Sequence, residues 1–167
     1  MKKLPSGLRR LTLCFLLIPF AILLTACSED PVEIAETQLI LNITEANQNE
    51  FVRQMVSEYL ILSERLLTGY QTYKQADDAH GFIYYRNKEW TPDYMAAKER
   101  YQSVLHQQKA YIYRNQLGGL FDQFMNLQKL ALHLKHSLLD KDWELERQAM
   151  QRLKQDKTAV AGFLKLR

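Results

Sequence analysis

Apolar residues recur at spacings of three and four over most of this chain, which is the signature of helices with one buried stripe. Val52, Met55, Tyr59, Leu62, Leu66, Tyr70 and Tyr73 form one such row, behind a cap-like start at Asn47-Gln48-Asn49-Glu50. Gly69 lies within it and weakens helix formation by about 1 kcal/mol relative to Ala. The row fades at Asp77-Asp78, and His80-Gly81 reads as part of a connection. Thr91-Pro92 reads as the next start, with Tyr94, Ala97, Tyr101, Val104, Leu105, Tyr111 and Ile112 facing one way until Gly118-Gly119 stops or bends the helix. Leu120, Phe124, Leu127, Ala131, Leu134 and Leu138 make a heptad-like row, whose neighbours in a bundle are a better match than a second copy. After a break at Asp140 to Asp142, Leu145, Ala149, Leu153, Val160 and Leu164 mark a last helix. Short links between long helices predict an all-α fold: an antiparallel bundle of about four long helices plus a short N-terminal segment. Thr37 to Thr44 suits a strand or a helix, and helix is expected because no partner strand is evident. No repeat of fixed length argues for a solenoid.

The first residues follow a different pattern. Lys2, Lys3, Arg9 and Arg10 precede an apolar run from Leu11 to Ala26 that is interrupted by Pro19. The run is shorter than the roughly 20 residues a membrane span needs, and a basic start before a short apolar stretch is the layout of an export signal. It closes on Leu24-Thr25-Ala26-Cys27, which resembles the lipobox of bacterial lipoproteins. The resemblance covers about the first twenty-eight residues. It implies a signal peptide over 1–26, removed before Cys27, and a diacylglyceryl group on the Cys27 thiol with an acyl chain on the new amine. Two or more acyl chains hold a protein to a bilayer stably, where one does so only marginally. Ser28 stands where lipoproteins retained at the inner membrane often carry Asp, so the implied location is the periplasmic face of an outer membrane. Residues 27–30 would be a short tether, and Asp30-Pro31-Val32-Glu33 reads as a helix start opening a single domain over 31–167.

That reading changes the charge. The whole chain carries 22 basic and 19 acidic residues, a net of +3. Without the four basic residues of the signal the balance is 18 against 19, or −1, too little positive charge for nucleic-acid binding. Cys14 leaves with the signal and Cys27 carries lipid, so no disulfide joins the mature chain, and stability rests on packing.

Candidate chemistry is sparse. All nine tyrosines fall between Tyr59 and Tyr113, and the stretch Gly81 to Trp90 is unusually aromatic for a connection. Either it folds back to cap the bundle, or Tyr84, Tyr85, Arg86 and Trp90 anchor a partner, since Tyr, Trp and Arg dominate interface hot spots. His133 and His136 share a helix face and are weak metal candidates, with His106 as the only available third ligand. Glu144 and Glu146 stand two apart and point to different faces. Asp77-Asp78 beside His80 reads as a charged helix end. No nucleophile elbow, phosphate loop or free mature cysteine is present, so no cofactor and no catalysis are expected. Two functions remain open. One is a non-catalytic helical adaptor or accessory subunit of an envelope assembly, bound to an envelope protein partner. The other is an immunity, exclusion or inhibitor lipoprotein that neutralises an incoming toxin, hydrolase or conjugation partner. A carrier with an apolar cavity is a third, and only an open pocket between helices would raise it.

Overall fold

A computed structural model describes residues 39–165, and the calls on the signal, on Cys27 and Ser28, on the 27–30 tether and on the Asp30-Pro31 start lie outside them. The described chain folds into α1 (Gln48–Gln75), α2 (Ala79–Tyr85), a π-helical turn (Arg86–Trp90), α3 (Thr91–Gln107), α4 (Lys109–Arg114), α5 (Gly118–Asp140) and α6 (Trp143–Gly162), with no strand among the described residues. It is an all-α bundle.

Cross-helix pairs give the register. Glu58–Arg100 and Arg65–Asp93 run α1 against α3 in opposite directions. Lys74–Glu146 and Glu64–Lys157 do the same for α1 and α6. Phe51 stacks near Phe121 and Tyr70 meets Ser137, so α1 and α5 run parallel. The bundle is therefore up-down-up-down, with α5 and α6 in closest association. The predicted rows on α1 and α5 are its core: Val52, Met55, Tyr59, Leu62, Leu66 and Tyr70 are buried, as are all six positions from Leu120 to Leu138. Aromatic rings run through the middle, with Tyr101 and Tyr94 both against Phe124 and Trp90 stacked on Tyr94 at 5.0 Å.

Four local expectations need correction. Residues 39–44 are not helical. The Ile40 N–H donates to Gln54 Oε1 and the Ile43 N–H to Gln108 Oε1, so polar side chains of α1 and the α3–α4 junction hold an extended segment over the core. The second correction concerns 81–90, which is no connection. The helical run continues from Ala79 to Gln107, and only Ala76 to Asp78 interrupts the path from α1. Asp77 there adopts positive φ, and Asp78 caps α2 by accepting from the Gly81 N–H at 2.7 Å. Thr91-Pro92 opens α3 as expected, but the chain enters it from a helical turn rather than from a connection. Pro92 cannot donate to the helix ladder, and the turn before it widens, with the Thr91 N–H bonded to Arg86 O.

Third, the helix after Thr91 breaks at Gln108, whose amide is engaged by Asn42 and Ile43 of the extended segment. Fourth, Gly118-Gly119 opens α5 rather than ending a helix. The reversal is made by Asn115 to Leu117, with Gln116 at φ 58°, and the Tyr113 ring packs closely on Gly118, 3.0 Å from where a Cβ would stand. The break at Asp140 to Asp142 is as expected: Lys141 is left-handed, and Asp142 Oδ1 accepts from the Glu144 and Leu145 N–H groups at 3.0 and 2.9 Å.

Candidate functional site

The four residues proposed as partner anchors are separated by the helix they share. Trp90 is fully buried, and its indole N–H donates to Leu62 O of α1 at 2.9 Å. It belongs to the core and offers no area to a partner. Arg86 is 8% exposed; its Nη1 donates to Asn87 Oδ1, its Nε has no partner, and burial lowers its pKa. Tyr85 is half-buried, its hydroxyl donating to Arg65 O at 2.9 Å while its ring lies over Gly69. Only Tyr84 faces solvent, 63% exposed. The aromatic cluster is mostly the inner face of a helix, where aromatics contribute packing area.

Tyr85 also lines an apolar groove of about 580 Å³ with Ile61, Gly69 and Tyr73. The groove continues past Ile61 and Arg65 into a larger one of about 680 Å³ between α1 and α3, where Leu39 and Gln54 lie. The floor of this second part is polar. Glu58 accepts from Arg100 and from the Tyr101 hydroxyl, the latter at 2.8 Å, and burial followed by Glu58 pushes that phenol well above its ordinary range. Both grooves are open surface channels rather than a cavity within the bundle.

The histidines do not gather. His133 and His136 lie on α5, and His136 faces Asp140 at 3.9 Å. His106 ends α3 near the start of α5, since Tyr101 packs on Phe121, whereas His133 lies about 18 Å of helix rise beyond Phe121. Among the described residues no three His, Cys, Asp or Glu side chains converge as a metal group would require.

Two residues that the sequence reading passed over carry more interest. Asp156 sits on the buried stripe of α6, three residues after Leu153 and four before Val160, and is 2% exposed. Arg152 Nε reaches it at 2.8 Å, and the Gln123 amide, oriented with its nitrogen toward the carboxylate as the hydrogen-bonding partners require, donates to both oxygens at 2.7 and 3.1 Å. The nearby Tyr59 hydroxyl is buried without a partner; burial first, and Asp156 second, hold its proton well above the usual phenol range. A hollow of about 320 Å³ beside this cluster is lined by Asn126, Lys129, His133, Gln148 and Arg152. The cluster ties three helices together but aligns no nucleophile with a base. A carboxylate on an otherwise apolar stripe was the signal available in the sequence.

Trp143 is the second. It opens α6 at 63% exposure, and Lys74 Nζ stands 5.0 Å from its ring centre while pairing with Glu146. Leu139 is exposed close by in sequence, and Asp77–Lys141 joins the two loops at this end at 3.5 Å. Carboxylates dominate here: Asp77, Asp78, Asp140, Asp142, Glu144 and Glu146 stand against Lys74, Lys141 and Arg147. An exposed indole steadied by a cation is a large, partly pre-ordered contact surface. The signal for it was its place opposite the Leu145, Ala149 and Leu153 stripe.

Compared with family models, curated proteins and solved structures, the chain matches none. Among the described residues no helix is long and apolar enough to cross a membrane.

Proposed function

We propose that this chain is a lipid-anchored envelope protein, modified at Cys27, that serves as a non-catalytic helical adaptor for an envelope assembly. The lipobox resemblance and Ser28 support an anchor at the periplasmic face of an outer membrane. The observation that carries the adaptor reading is Trp143, 63% exposed and held by Lys74 at an acidic end of the bundle. A protein that had only to fold would gain by burying or replacing it. A partner presenting an apolar pocket with a basic rim fits this end, since charge complementarity selects and orients partners. Tyr84 adds a second exposed aromatic on α2, while Trp90 and Arg86 support the fold behind it.

The test is proximity crosslinking in cells of the native chain, Cys27→Ser and Trp143→Ala, with captured proteins identified by mass spectrometry. One dominant envelope partner, mislocalised in Cys27→Ser and lost in Trp143→Ala at unchanged abundance, is expected. Capture only after challenge by a rival or donor cell would replace the adaptor with a protective lipoprotein. Equal capture by Trp143→Ala would remove this end from the interface.

A further inference from the structure

The two ends of the bundle differ in chemistry. Opposite the acidic Trp143 end lie the first turn of α1, all of α4, the start of α5 and the tail of α6. Their proximity is documented by side-chain contacts: Tyr111 donates to Gln48 at 2.8 Å, Tyr113 lies against Gly118, and Phe163 approaches Gly119 and lines a hollow with Asn49 and Val52. Three large apolar side chains stand open here, Leu41 and Tyr113 at 54% and Leu164 at 44%. Lys109, Arg114 and Lys165 are exposed among them, and none forms an ion pair among the described residues. With Arg53, these cations face Glu45, Glu50 and Asp122, a net of +1, where the other end nets −3.

We infer that this end is a membrane-contact face that lies in the headgroup layer of the bilayer to which Cys27 is anchored. The inference rests on the lipoprotein reading for its anchor, but its surface argument is separate. Tyrosine and leucine side chains beside lysine and arginine are the composition that settles at an anionic bilayer surface. The described chain begins at Leu39, itself 52% exposed and lodged near Glu50 and Arg53 of the same end. Eleven residues lie between Cys27 and Leu39, a reach of at most about 40 Å, and Gln54, which holds Ile40, stands about 32 Å along α1 from its far end at Gln75. Chain length alone therefore permits either end to face the membrane, and surface chemistry decides. With this end down, Trp143 is carried about 40 Å away from the headgroups, at the full height of the bundle.

Tryptophan supplies the measurement, because Trp90 is buried and Trp143 marks the far end. The full chain is expressed in bacteria, the mass of its Cys27 peptide is determined, and the protein is reconstituted in phosphatidylethanolamine–phosphatidylglycerol vesicles containing brominated lipid. The native chain is compared with Tyr113→Trp in a Trp143→Phe background. Strong quenching of the Y113W probe with little quenching of Trp143 is expected. Quenching that is equal for both, or stronger for Trp143, on a lipidated chain overturns the inference and leaves the anchor standing.

If Cys27 carries no lipid, the lipoprotein reading fails and the same face is judged by sedimentation of the chain with those vesicles. Binding that falls about fivefold with each of Lys109→Gln, Arg114→Gln and Lys165→Gln supports it. Absence of binding, self-association through this end, or binding indifferent to these charges overturns it.

Discussion

Gly69→Ala should destabilise this protein, although alanine is the better helix former. Gly69 lies in the interior of α1, where the exchange by itself favours the helix by about 1 kcal/mol. A Cβ there would stand 2.2 Å from Tyr85 Cε1 and 2.7 Å from Cδ1 and Cζ, distances no structure sustains. The ring must leave. It is held by its hydroxyl bond to Arg65 O and by Tyr73 and Phe82, whose ring centres lie at 5.9 and 6.5 Å. Losing the hydrogen bond costs about 1 kcal/mol, and displaced packing with local strain adds about 1–2 kcal/mol. The net loss is about 1–2 kcal/mol, or roughly 4–8 °C in Tm for a domain of this size.

Thermal and urea unfolding followed by circular dichroism measure it, and a double-mutant cycle isolates the cause. In a Tyr85→Ala background the obstruction is gone, so Gly69→Ala should now stabilise by about 1 kcal/mol. The sign of one substitution thus reverses with the state of another residue, a coupling of about 2–3 kcal/mol. A Gly69→Ala protein more stable than the native chain, or effects that simply add, would refute the close approach of Tyr85 to α1.

Tyr70 and Tyr94 are both pushed up to about 12, by burial above all, so the fold favours their protonated form. Their contribution is complete below about pH 10, the unfolded value, and is lost as pH rises toward 12; phenolate absorbance and Tm across that window should move together. Asp156→Ala should cost about 2 kcal/mol because the Gln123 amide loses its acceptor, while Gln123→Leu with Asp156→Leu should recover most of it in urea melts. Asp142→Ala removes the acceptor for two N–H groups and should lower stability by about 1 kcal/mol, with exchange protection falling in the first turn of α6.

Where a stripe is continuous and its breaks are polar, the fold was legible from the residues alone. The row on α5 is buried as its spacing requires, as is the row on α1 up to Tyr70, with Tyr73 half-buried at its end, and the Asp140–Asp142 turn lies where its residues place it. The misreadings share one physical cause. Local signals such as His80-Gly81 and Gly118-Gly119 mark backbone preferences, and tertiary contacts decided how each was used. The turn before Pro92 is widened, and the Trp90 it carries is bonded to Leu62 O across the bundle. Gln108 became a break with no Gly or Pro beside it, since its amide is occupied by Asn42 and Ile43, more than sixty residues earlier.

The candidate site was harder to read, because composition locates aromatics without saying which way they point. Phe82, Arg86, Trp90 and Tyr94 are spaced four apart, so once 81–90 is helical they form a single inward row. Treating the stretch as a connection hid that periodicity and made a core look like an interface. The same logic exposes what was overlooked. Trp143 falls off the α6 stripe and Asp156 falls on it, each the reverse of what its side chain would choose in water. Asp156 is accounted for by Gln123 and Arg152, which return the hydrogen bonds that burial removed. Lys74 stands over one face of Trp143, and the indole is 63% exposed. The fold thus leaves an indole uncovered at the end of the bundle richest in carboxylates, and nothing within the described residues offsets that exposure beyond the Lys74 contact.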